Sequence, residues 1–239
     1  MKEVAERVFA QLPHYVPDLA ALVGHPKRTI AAKSSGAPDD LQRATVFVGI
    51  TVGIGFLLQA PTLPPETDFM MAAAAMAAFK VIAILLFSGI VWGAYRLFGG
   101  RGDYLRTLTA YIYMVSPLYL VLVVLSLIAQ GLVRAYDPEL GLLVRGNPFH
   151  FLQHPEALAA FETEAPALAN AMTAVNAVSN FATLVWFITC LGAFRSIHAV
   201  TRRRSGVAAA LIVIAWWPYA AAILFLAIGM FGRMAPPLT

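Results

Sequence analysis

Five apolar stretches recur along this chain, at 44–60, 72–98, 108–131, 171–194 and 207–231, and they constrain its fold more than any other feature. A helix needs about 20 predominantly apolar residues to cross about 30 Å of hydrocarbon. Four of the five stretches exceed that length; 44–60 is the short one, ended by Pro61. Inside lipid every backbone N–H and C=O must find its partner within the protein, so runs like these become helices rather than isolated strands. A soluble helical core is a poor alternative. Only 13% of the residues are charged, against about 25% in ordinary soluble domains. The mean hydropathy of +0.72 points the same way. The sequence therefore predicts an all-α membrane protein, a five-transmembrane-helix bundle spanning 44–231.

The basic residues set an orientation. Lys2, Arg7, Lys27, Arg28, Lys33 and Arg43 precede the first stretch, Arg96, Arg101 and Arg106 flank the second connection, and Arg195, Arg202, Arg203 and Arg204 flank the fourth. These make 13 of the 17 basic residues. The alternate connections and the tail carry only Arg134, Arg145 and Arg233, and Lys80 lies within a stretch. Lysine and arginine are retained on the cytoplasmic side of short loops. The expected topology has the N-terminus in the cytoplasm, the C-terminus outside and the protein integral to the cytoplasmic (inner) membrane. The loop at 132–170 and the tail at 232–239 are then extracytoplasmic. That loop is acidic, and Pro155 followed by Glu156 suits the first turn of a short helix.

Residues 1–43 form a cytoplasmic amphipathic segment. Val4, Val8, Leu12, Leu19 and Leu22 recur at roughly helical spacing, interrupted by Pro13 and Pro17, which predicts one or two short interfacial helices on the membrane surface. Charges among the first twenty residues and the lack of an apolar run there do not fit a secretory signal. Lys33 to Asp40, rich in Ser and Gly with Pro38, reads as a loop.

Gly49 and Gly53 in the first span, and Gly89 and Gly93 in the second, have the small-xxx-small spacing that lets helix backbones approach closely. They predict tight packing of spans one and two, or a dimer contact. Lys80 is the one charge deep within a stretch, where burial in hydrocarbon costs about 2.5–3.5 kcal/mol unless the amine is partnered or snorkels to water. Asn176 and Asn180, four apart on one helix face, join helices or supply acceptors to an intramembrane polar site with Lys80. Arg101, Arg106, Arg202, Arg203 and Arg204 either fix topology or contact anionic headgroups.

Catalytic signals are weak. Gly99-Gly100-Arg101-Gly102 lacks the Gly-Lys-Ser/Thr of a phosphate loop and reads as a tight turn. Arg101-Gly102-Asp103 spells an adhesion tripeptide on the wrong side of the membrane to serve as one. No Gly-x-Ser-x-Gly or His-Glu-x-x-His occurs. His150 and His154 are separated by four, but Pro148 and Pro155 break a helix through both. The lone Cys190 excludes an intrachain disulfide and reads as a packing residue. No catalytic, cofactor or metal site is expected.

Three local patterns resemble the Yip1-domain family. Leu22-Val23-Gly24-His25-Pro26-Lys27-Arg28-Thr29-Ile30 is similar to its proline-basic segment before the first span. Leu97-Phe98-Gly99-Gly100-Arg101-Gly102-Asp103-Tyr104, with Leu108-Thr109-Ala110-Tyr111 and Ser116-Pro117, is similar to its glycine turn and third-span entry. Trp186 through Ile197-His198 and Arg202-Arg203 resembles its fourth-span end. The resemblance covers about 20–230 and implies a five-span fold without a shared catalytic site. The Asp-Leu-Tyr-Gly-Pro segment of the eukaryotic trafficking branch is missing, so the resemblance implies the prokaryotic branch and carries over no role in vesicle traffic.

The expected function is that of a non-enzymatic membrane protein organising lipids or partner proteins. Its expected partners are anionic headgroups on the cytoplasmic side, and a second copy or another membrane protein, with no nucleic acid. The alternative is a small transporter or channel with a polar path around Lys80, Asn176 and Asn180.

Overall fold

The computed structural model describes residues 2–62, 69–141 and 155–231. Eight helices of eight or more residues carry most of these: α1 (Lys2–Gly24), α2 (Pro26–Lys33), α3 (Asp40–Gln59), α4 (Phe69–Leu97), α5 (Tyr104–Tyr136), α6 (Pro155–Glu164), α7 (Pro166–His198) and α8 (Arg202–Phe231). No strand occurs among the described residues. Helices α3, α4, α5, α7 and α8 contain five stretches long and apolar enough to cross a membrane. His150, His154 and the 232–239 tail lie outside the described residues, as does part of the 132–170 loop.

Helix ends are set by local chemistry. The Asp40 carboxylate opens α3 by accepting from Ser35 Oγ (2.9 Å), Gly36 N (3.0 Å) and Ala37 N (3.2 Å), which shapes the 34–39 loop. Asp103 caps α5, its side chain accepting from the Arg106 amide at 2.7 Å. At the end of α4, Gly99 takes φ +83°, and the Gly100 amide donates to Tyr95 O at 2.8 Å while Gly99 N donates to Arg96 O at 3.0 Å. That is the paired 6→1 and 5→2 closure which glycine permits at a helix end. The end of α7 uses the same closure with Ala199 at φ +51°, where an L side chain is disfavoured.

The bundle is tight at one end. All residues from Thr107 to Met114 are buried, because the first turns of α5 are surrounded by α1, α2, α3, α4 and α7. Phe47, Val91, Tyr95, Tyr113, Phe194 and Ile212 complete this core. The opposite half is looser: Val124 and Ile128 of α5, Phe181 of α7 and Trp217 and Phe225 of α8 are exposed, as lipid-facing residues are. There α6 covers the bundle with Phe161, packed among Val133, Leu140 and Ala169.

The N-terminal segment differs from its sequence reading in one respect. Pro13 and Pro17 do not break it; α1 runs through both. Tertiary contact holds it: Tyr15 packs on Phe47 with ring centroids 4.8 Å apart, and its hydroxyl lies 3.0 Å from Thr51 Oγ1 of α3. Burial raises the Tyr15 phenol above its ordinary pKa, with the Thr51 bond opposing. Helix α2 folds back on α1 through Thr29 Oγ1, which donates to Ala21 O, and the Lys33–Asp18 ion pair at 2.7 Å.

The glycine pairs are a clearer correction. A Cβ placed at Gly49, Gly53, Gly89 or Gly93 would meet nothing within 4 Å. Helix α3 packs chiefly on α5, and α4 on α8 and α5, so spans one and two are not the close pair expected. The close approach belongs to Gly55, where a Cβ would lie 2.5 Å from the Tyr119 ring of α5. A large aromatic side chain needs a hole, and Gly55 supplies it.

Candidate functional site

The tight end of the bundle brings two connections, α4–α5 and α7–α8, together around His198. This last residue of α7 is fully buried. Its ring stacks on Tyr95 of α4, with centroids 4.7 Å apart and planes inclined by 15°. Its Nε2 lies 3.0 Å from Thr107 Oγ1 of α5, and its carbonyl accepts from the Arg101 amide at 2.9 Å. Thr107 has one hydroxyl proton, which goes to Asp103 O at 2.9 Å. With its proton given to Asp103 O, the hydroxyl is free to accept from His198 Nε2, the assignment that agrees with an Nδ1 that has no partner.

Nδ1 has no hydrogen-bond partner and faces the glycine turn. A Cβ on Gly100 would lie 2.9 Å from Nδ1 and 2.7 Å from Tyr95 O, and one on Gly102 would lie 2.9 Å from Nδ1. The glycines are thus the floor of the histidine's slot. Tyr95 extends the junction to α8 through its hydroxyl, 3.0 Å from Ser205 Oγ. The ends of α4, α5, α7 and α8 are locked to one another here.

On this locked base sits a basic rim. Arg101, Arg202, Arg203 and Arg204 are all exposed. The Arg204 guanidinium reaches the α4–α5 turn, its Nη1 being 3.2 Å from where a Gly99 Cβ would stand. Three arginines occupy the first turn of α8, where the positive end of the helix dipole disfavours cations. Together with amides that have no helical acceptor, that turn presents a concentrated positive field to water. Lys27 and Arg28 add exposed charge at the α1–α2 turn, where the Lys27 stem passes over Gly192 of α7.

Arg106 does not join the rim. Its Nε donates to Ser34 O at 3.2 Å and its stem covers Gly36, so it fastens the α2–α3 loop. Lys80 lies in α4 with its ammonium 4.5 Å from the Tyr119 ring centroid of α5, a cation–π contact. Asn176 and Asn180 are exposed on α7, whose packing on α4 is through Phe194 and His198 against Tyr95, at the far end of both helices from the asparagines and Lys80. The structure therefore does not assemble Lys80, Asn176 and Asn180 into one polar path.

Sequence reasoning passed over His198 as a pivot, Gly55 as a socket and the Trp186 indole. Trp186 Nε1 donates to Met114 O at 2.7 Å, three residues before Pro117, which α5 runs through. Beside it Ser116 Oγ donates to Ile112 O at 2.7 Å. The glycine-rich turn was the available signal for His198, since adjacent glycines mark a place where something must come close.

Five long apolar helices, with no strand among the described residues, define an integral membrane protein of five-span type. Its chain belongs to the Yip1 family: the family model described as Yip1 domain matches residues 20–229, which include every element of the junction and its rim. Nothing matches among the curated proteins or the solved structures.

Proposed function

We propose that this Yip1-domain protein is a non-enzymatic organiser of the cytoplasmic membrane that gathers anionic lipid headgroups on its basic end, with that end and the N-terminus in the cytoplasm. One observation carries the reading. Arg202, Arg203 and Arg204 stand exposed at the N-terminus of α8 beside Arg101, on a base made rigid by the His198 junction. Local helix physics disfavours that placement, so a compensating anion is the partner that makes sense of it. The charge asymmetry along the chain supports the same side for all of them.

Each basic residue near an anionic surface contributes roughly 1 kcal/mol, so the triad together contributes about 3 kcal/mol, roughly a hundredfold at low salt and less as salt rises. Native mass spectrometry of protein released from nanodiscs of mixed zwitterionic lipid and phosphatidylglycerol measures retained anionic lipid. R202Q/R203Q/R204Q should reduce that retention strongly, and R134Q, at the other end of α5, should not. Equal retention by the triple variant and the native protein would refute the reading.

A further inference from the structure

A cleft of about 290 Å³ lies between α1, α5 and α7, walled by Leu19 and Val23, Pro117 and Val121, and Ala182 and Trp186 respectively. Every described residue that lines it is apolar. The Trp186 indole nitrogen is the one side-chain polar atom on these walls among the described residues, and its proton is committed to Met114 O at 2.7 Å. Water in such a space would lack the polar partners that hold it. A helix is too large, since one turn about 10 Å across and about 5.4 Å long fills about 420 Å³. At about 30 Å³ for a water-sized group, the space takes about ten methylenes.

Its depth is set by α7. About 30 Å of hydrocarbon, counted from Pro166 at about 1.5 Å per residue, ends at Trp186. The cleft therefore opens where acyl chains approach the headgroups. Gly192 stands about 9 Å further toward His198. The Lys27 stem lies across it: a Cβ on Gly192 would be 2.5 Å from Cδ and 2.7 Å from Cε. Lys27 is exposed and makes no ion pair among the described residues. It follows Val23 by four residues, so the α1–α2 elbow carries an unpaired cation past the apolar walls.

We propose that this cleft binds one acyl chain of an anionic phospholipid, with Lys27 holding the phosphate, in the leaflet beside the tight end of the bundle. The site has the polarity of the lipid, with positive charge at headgroup level and apolar walls beneath it. Gly192 lets the lysine stem lie flat on α7, which keeps the ammonium at the edge of the cleft. The site is separate from the arginine rim. It rests neither on that rim nor on which side of the membrane the tight end occupies.

Phosphatidylcholine nanodiscs doped with phosphatidylglycerol that bears a diazirine on its acyl chain test this. Illumination followed by peptide mass spectrometry maps the adducts. In the native protein they should be several-fold denser on 117–121 and 182–186 than around Ile214 and Trp217, which are exposed on α8 at a similar distance from its helix end. K27Q should cut the cleft labelling about fivefold, the effect of one cation lost beside an anion, and K27R should retain it. A182F fills the cleft and should remove most of the labelling with an unchanged thermal melt. Should A182F melt early, the native map and the K27Q and K27R pair still decide. R202Q/R203Q/R204Q should leave the cleft labelling unchanged, so that this site and the arginine rim fail separately. Adducts no denser in the cleft than at Ile214 and Trp217, as a covering helix or unselective lipid contact would give, would overturn the proposal. So would equal labelling of K27Q and the native protein.

Discussion

His198 works by close contact at three places on its ring: Tyr95 stacked on one face, Thr107 at Nε2, and two glycines against Nδ1. Such a slot tolerates no added atom. Gly100→Ala would press a Cβ against a backbone carbonyl and the imidazole, and should destabilise the protein by about 2–3 kcal/mol in a thermal melt. Thr107→Val keeps the volume but strands the Nε2 proton, at a cost of about 1–3 kcal/mol. Ala199 should respond the other way. Its φ of +51° suits glycine, so Ala199→Gly should raise the melting midpoint slightly; a fall would show that the strain is not there. At this scale the sequence was partly legible. Arginine and glycine positions announce a tight basic turn, but a histidine's burial depends on three other helices and leaves no trace in local spacing.

The elements were legible in kind and less so in partnership. Hydropathy located five spans because lipid imposes one requirement on every residue of a crossing helix. Which helix faces which is a matter of side-chain shape. Gly49 and Gly53 carry the familiar spacing yet face open space, whereas Gly55, outside that pattern, receives Tyr119. Gly55→Leu should therefore destabilise the α3–α5 pair markedly, while Gly49→Leu and Gly53→Leu should leave the melting midpoint of the isolated protomer nearly unchanged. Equal losses at all three would contradict the packing described. The prolines of α1 were misleading for a related reason. Propensity disfavours a helix through Pro13 and Pro17, and packing of Tyr15 and Leu22 into the bundle outweighs it. Tyr15→Phe, which removes the bond to Thr51, should loosen α1 by about 1 kcal/mol, visible as faster amide exchange in α1 relative to α5.

Across the whole molecule the two ends differ in character. One end is locked by the His198 junction and ringed with arginines; the other is loosely packed and capped by α6, with Glu164 bonded to Tyr136 at 2.7 Å. A locked, charged end and a looser lipid-facing end are the arrangement that the proposed holding of headgroups at one surface requires. The account depends on Arg101 and Arg203 sharing one face of the membrane and Glu164 standing on the other. Labelling of R101C, R203C and E164C with an impermeant maleimide in sealed right-side-out vesicles measures this directly. E164C should label at once, and R101C and R203C only after permeabilisation. Labelling of R101C and R203C from opposite sides, or of E164C together with either, would contradict it.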